Sequence, residues 1–126
     1  MKKTVFVKDV AIGGKNPVVI QSMTNTKTED TLATIKQVKE LNRAGAEIVR
    51  VSVPNSQSLK TIQELSKGSI PIVADIHFDY KLAIKSVEYG AHKIRINPSN
   101  IPSYGIVEIV KHCKEKNIPI RVGVNK

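Results

Sequence analysis

Apolar residues recur along this chain in two alternating rhythms. Five short runs are rich in Val and Ile: PVVIQSM from Pro17, EIVRVSV from Glu47, IPIVADIH from Ile70, HKIRIN from His92 and IPIRVGV from Ile118. Their composition is that of buried parallel strands. Between them, apolar residues return every three or four positions, as on one face of a helix. Leu32, Ile35, Val38 and Leu41 form the first stripe, and Leu59, Ile62 and Leu65 the second, with Gly45 and Gly68 as stops. Asp79 is placed to cap a third helix, which turns Leu82, Ala83 and Val87 inward and stops at Gly90. Ser103 starts a fourth, with Ile106, Ile109, Val110 and Cys113 on its buried side and Asn117 as its stop.

Strand starts at 18, 47, 70, 92 and 118 are 22 to 29 residues apart. That is the length of a βα unit with short connections. Strict alternation predicts a parallel sheet with crossover helices. An open doubly wound sheet would carry a Gly-rich fingerprint after its first strand, where QSMTNT stands instead. Eight units of about 25 residues make the roughly 200 residues of a small barrel. The predicted fold is therefore α/β: the first half of a (β/α)8 TIM barrel, five parallel strands with outer helices. Thr4 to Ile12 alternates weakly and runs into Gly13-Gly14, which reads as an N-terminal hairpin closing the bottom of the barrel.

The strand interiors are where the picture becomes chemical. Three of the four arginines lie mid-strand between branched apolar residues, as Val49-Arg50-Val51, Ile94-Arg95-Ile96 and Ile120-Arg121-Val122. Side chains alternate faces along a strand. Arg50 and Ser52 therefore oppose Val49, Val51 and Val53, while Asp75 and His77 oppose Ile72, Ala74 and Ile76. In the next two strands Lys93, Arg95 and Asn97 oppose Ile94 and Ile96, and Arg121, Gly123 and Asn125 oppose Ile120, Val122 and Val124. The apolar faces belong against the helices and the polar faces inside the barrel, near the strand ends where barrels build their sites. A bland reading is an internal ion-pair layer, for instance Asp75 with Arg95. But Arg50, Lys93, Arg95 and Arg121 stand against Asp75 alone. Unpaired charge is costly to bury, so the excess calls for an anion, and arginine's planar fork suits a phosphorylated one. His77, on the face of Asp75, is a candidate proton donor or ligand contact. Gln21, Ser22, Met23 and Thr24 carry a weaker signal at the end of the first strand.

Composition narrows the classes. The chain has 126 residues, 40% hydrophobic, with a formal charge of +9. The lysines are scattered, aromatics are 4% and there is no Trp, which argues against a nucleic-acid partner. No apolar run approaches the length of a membrane span. Lys8 and Asp9 interrupt what would be a signal peptide's apolar core, so a cytoplasmic protein is expected. Cys113, the single cysteine, reads as a structural thiol and cannot by itself hold a zinc ion or a cluster, so no metal is assigned to this chain.

Taken in order, PVVIQSMTNTKTEDTLATIKQV, AGAEIVRVSVP, IPIVADIHFDYKLA, GAHKIRINPSNI and IPIRVGVN resemble the successive signatures of the 4-hydroxy-3-methylbut-2-enyl diphosphate synthase family, from about residue 4 onward. ADIHFD followed by KIRINP is the most specific pair. Ser99 departs from the family's usual Gly in RINPGN, and Lys126 from its usual continuation. The resemblance implies an oxidoreductase of the non-mevalonate isoprenoid pathway that reduces 2-C-methyl-D-erythritol 2,4-cyclodiphosphate. It implies electrons from flavodoxin or ferredoxin through a [4Fe-4S] cluster held by a separate C-terminal domain, and a homodimer in which that domain closes over the partner's barrel. Carried over by motif, Arg50, Arg95 and Arg121 would hold the diphosphate, with Asp75, His77, Asn97 and Asn125 lining the pocket. Residues 1–126 would be the N-terminal part of the barrel, inactive alone, with the rest of the barrel and the iron–sulfur domain absent from this sequence. Two other readings compete: a dihydropteroate-synthase-like transferase, whose pterin-binding loop motifs are not found, and a non-catalytic basic anion-binding module.

Overall fold

The computed structural model describes residues 4–12 and 19–123. The Gly13-Gly14 end of the predicted hairpin, the Pro17-Val18 start of the first long strand, and Asn125 lie outside them. Strands β1 (Val5–Val7) and β2 (Val10–Ile12) form an antiparallel hairpin. Then follow β3 (Gln21–Met23), α1 (Thr31–Arg43), β4 (Ile48–Ser52), α2 (Ser58–Ser66), β5 (Ile72–Ile76), α3 (Tyr80–Glu88), β6 (Lys93–Ile96), α4 (Ser103–Lys116) and β7 (Ile120–Val122). A single 3-10 turn, Pro98–Asn100, lies between β6 and α4. The five long-range strands pair in sequence order, β3-β4-β5-β6-β7, all parallel.

The two faces of this sheet differ as the alternation predicts. Val49, Val51, Val53, Ile72, Ala74, Ile76, Ile94 and Ile96 share one buried cluster with Val38 of α1, Ile62 of α2, Ala83 of α3 and Ile109 of α4. All four helices thus cover the same face, the arrangement of a barrel rather than of a doubly wound sheet. Each fully buried Ile or Val contributes about 1.5–3 kcal/mol. On the other face, Val7 packs on Ile48 and Val73, with Val10, Ile12 and Val19 around them. Ile48 and Val73 stand at the N-terminal ends of β4 and β5, so the hairpin closes that end of the interior. Its tight turn puts Lys8 at φ 57, and the Lys8 Nζ donates to the Gly68 carbonyl at 2.6 Å.

The helix boundaries have local causes. Asp30 accepts from Ala33 N–H at 3.2 Å, and Asp79 accepts from Lys81 N–H at 2.9 Å, each satisfying a first-turn donor. Asn117 ends α4 in the left-handed conformation, φ 55, ψ 41. Gly90 after α3 is required twice over: its φ is +106, and a Cβ there would meet Ser66 Oγ at 2.6 Å. Two expectations are corrected. Leu32 is 83% exposed. It stands in the first turn of α1, where Thr34 takes the inward place and bonds to Thr26 and the Lys27 carbonyl. Val110 is exposed, and Gly105, Ile109 and Cys113 form the buried line of α4 instead. Gly68 follows Lys67, the cap of α2, and its N–H donates to the Leu65 carbonyl at 3.1 Å.

Candidate functional site

Strand register gathers the inward polar residues into two rows. Ser52, Asp75, Arg95 and Arg121 are successive partners across β4 to β7. One layer nearer the hairpin, Met23, Arg50, Val73 and Lys93 are partners across β3 to β6. The alternation that buries Val and Ile under the helices places these groups on the interior surface.

Asp75 is the centre of the arrangement and is 2% exposed. Its Oδ1 accepts from Arg95 Nη1 at 3.1 Å. Its Oδ2 lies 3.6 Å from Arg50 Nε and 3.7 Å from His77 Nε2. The carboxylate thus fixes two guanidinium groups that approach from strands on either side of it. Arg50 Nη2 also lies 3.3 Å from the Met23 thioether, a weak acceptor. The Nε atoms of both Arg50 and Arg95 are buried with no hydrogen-bond partner. Leaving a buried donor unmet costs about 1–3 kcal/mol, so such groups in a folded protein need a reason.

The charge balance points the same way. The pair of Asp75 and Arg95 foreseen in the ion-pair reading is present, but it uses the one carboxylate in the row. Among the described residues the Lys93 side chain makes no hydrogen bond or ion pair, and burial, then the nearby Arg121, pushes its pKa down. Arg121 is exposed on the β7 edge and, among the described residues, its side chain has no hydrogen bond or ion pair. A surface with this excess of cations, and with buried N–H donors among them, has the chemistry to attract an oxyanion.

The remaining predicted residues fall into three groups. His77 sits just beyond the end of β5 at the rim, its side chain 47% exposed. Asn97 is buried, but its side-chain oxygen accepts from Ser99 N–H at 3.1 Å and Ser99 Oγ at 2.7 Å, capping the 3-10 turn. Asn125 is not among the described residues. Reading the sequence missed how the loop after β3 is held. Gln37 Oε1 accepts from Asn25 N–H at 2.7 Å and Thr26 N–H at 3.3 Å, and buried Thr61 donates to the Thr28 carbonyl at 2.7 Å. These contacts join residues 11 to 33 positions apart, and only the polar run from Thr24 to Asp30 hinted at them.

A cluster or metal finds no ligand set on the described residues. Cys113 is 1% exposed on the helix side of the sheet, and burial pushes its thiol up to about 11. An iron–sulfur cluster takes several thiolate ligands, which one buried thiol outside the barrel does not supply. Among the described residues no group of three or more His, Cys, Asp or Glu side chains stands close enough to hold a metal.

The model of the GcpE TIM-barrel domain matches residues 2–126. The 4-hydroxy-3-methylbut-2-en-1-yl diphosphate synthase (flavodoxin) of Halalkalibacterium halodurans is 54% identical over 125 residues, covering 98% of this chain and 34% of that protein. Its namesake from Wigglesworthia glossinidia brevipalpis is 50% identical over 125 residues, again 98% of this chain and 34% of the other. The chain spans about a third of the length of these curated relatives. Among solved structures, Yersinia pestis dihydropteroate synthase superposes with a TM-score of 0.70 at 13% identity, over 93% of this chain and 44% of that one. At that identity the likeness is one of fold alone.

Proposed function

The chain belongs to the GcpE TIM-barrel family, and on that footing we propose that it is the diphosphate-binding N-terminal part of a 4-hydroxy-3-methylbut-2-enyl diphosphate synthase. The full-length protein would reduce 2-C-methyl-D-erythritol 2,4-cyclodiphosphate in isoprenoid biosynthesis. Flavodoxin is the donor, as in the relatives' names, and the protein works as a cytoplasmic homodimer. When bound in the full-length protein, a [4Fe-4S] cluster supplies the electrons. None of the described residues fits it, and the work of these residues is binding.

The observation that carries the reading is the pair of guanidinium groups, Arg50 and Arg95, held side by side by one buried carboxylate, with Arg95 Nε buried and without a hydrogen-bond partner among the described residues. In the proposal, Arg50, Arg95 and Arg121 grip the diphosphate oxygens. Asp75 orients the first two and keeps their forks from swinging to solvent. His77, at the rim, donates a hydrogen bond to a ligand oxygen, and Asn97 and Asn125 border the same pocket. A low-dielectric floor strengthens each of these contacts relative to water. The test is turnover. Purified anaerobically with its cluster, the full-length protein should convert the cyclodiphosphate to 4-hydroxy-3-methylbut-2-enyl diphosphate with reduced flavodoxin. A cluster-loaded protein that leaves the cyclodiphosphate intact, while a relative converts it under the same conditions, would refute the assignment. Salt-sensitive retention on heparin without affinity for the cyclodiphosphate would favour a basic binding module instead.

A further inference from the structure

Gly123 follows β7 directly, and its N–H donates to the Ile96 carbonyl at 2.8 Å. Its backbone is not in the left-handed region, which among the described glycines only Gly45 and Gly90 occupy. No turn or strain therefore calls for glycine here. What calls for it is space. A Cβ on Gly123 would stand 2.9 Å from Arg95 Nη2 and 3.2 Å from both its Cζ and its Nε. The guanidinium of Arg95 lies across the bare Cα of the neighbouring strand. A glycine inside a strand often marks such a close approach.

We propose that Gly123 is a positioning residue for Arg95: its missing side chain is the seat on which the guanidinium rests while Nη1 holds Asp75. The inference rests on the reading of Arg95 as an anion ligand. It adds that the geometry of that ligand is set by a residue with no polar atom of its own to offer. A methyl group at position 123 suits the backbone, and the atoms it would meet are the far end of a flexible side chain. Gly123→Ala should therefore fold. Arg95 would swing off its seat, keeping its charge and losing the two-pronged aim that makes arginine more than a point charge.

The test uses the full-length protein and inorganic pyrophosphate as the probe, titrated calorimetrically into four proteins: wild type, Gly123→Ala, Arg95→Lys and the double variant. Gly123→Ala should bind pyrophosphate about tenfold more weakly than wild type, the scale of one charge-assisted contact. Arg95→Lys should also bind more weakly. Adding Gly123→Ala to Arg95→Lys should change affinity by less than about twofold, because the slimmer lysine does not need the seat. Wild-type affinity in Gly123→Ala, or an equal loss in both backgrounds, would overturn the inference and leave the arginine reading standing. Wild-type affinity in Arg95→Lys, or no pyrophosphate binding to the wild type at all, would overturn the arginine reading and the inference together. A purely structural role for Gly123 would lower the urea midpoint in both backgrounds while the folded protein still bound pyrophosphate normally, which also counts against the proposal.

Discussion

Replacing Arg95 by Met separates the two roles that its position allows. The guanidinium is 17% exposed and lies 3.1 Å from a carboxylate that is 3% exposed. Removing one partner of a buried pair costs about 3–5 kcal/mol when the survivor is left alone. Asp75 is not left alone, since Arg50 Nε remains 3.6 Å away and His77 Nε2 3.7 Å away. The expected loss of stability is therefore about 2 kcal/mol, nearer the scale of one charge-assisted hydrogen bond. Urea unfolding of the full-length protein would read it. Ligand affinity should fall separately, by roughly ten- to a hundredfold for a lost contact of about 1.5–3 kcal/mol. Adding Asp75→Asn removes the carboxylate that Arg95 served. Stability should then recover in part while cyclodiphosphate affinity stays low. A double variant that regains wild-type affinity would show that Arg95 serves Asp75 only, and the reasoning for an anion site at this position would fail.

Two further outcomes are expected away from the arginines. His92 Nδ1 accepts from Ile72 N–H at 3.0 Å, and burial, then Lys8, holds its pKa below the ordinary value, with Asp9 opposing. Its contribution is complete above the unfolded pKa of about 6.5 and is lost as pH falls through that value toward the folded one. The urea midpoint of the wild type should thus drop more between about pH 7.5 and about pH 5.5 than that of His92→Asn, whose acceptor does not titrate. An equal drop in both would refute the assignment. Cys113, buried and with its thiol pushed up to about 11, should be alkylated at least about a hundredfold more slowly in the native protein than in denaturant. Mass spectrometry at that residue reads the rate, and fast native labelling would contradict its place in the core.

Much of the frame was legible because two periodicities carry it. Arg50, Asp75 and Arg95 could be set on one interior face from alternation alone, since a strand buried under helices must send its odd and even residues to different environments. Asp79 and Asn117 were readable as caps because each satisfies or ends a helix by local chemistry. Leu32 misled because periodicity says which side of a helix a residue faces and nothing about whether a neighbour is there to meet it. Val110 misled at the margin of its helix's apolar arc for the same reason. Asn97 is buried, and half its hydrogen-bonding capacity is spent on Ser99, a choice that depends on the turn that follows. The seat at Gly123 could be noticed as an inward glycine, but what rests on it depends on the register between β6 and β7, which no local pattern encodes.

The central claim is that the barrel interior holds a diphosphate rather than an internal ion-pair layer, and Arg121 tests it most directly. Arg121 lies on the interior row beside Arg95, makes no ion pair among the described residues, and, after burial, adds to the lowering of the Lys93 pKa. As a structural residue it should be neutral or a burden, and as a ligand residue it should matter. In the full-length protein, the cyclodiphosphate should bind Arg121→Met about ten- to a hundredfold more weakly than wild type by phosphorus NMR titration, while the urea midpoint is unchanged or higher. Unchanged affinity together with a lowered midpoint would contradict the account and return the arginines to the structure of the barrel.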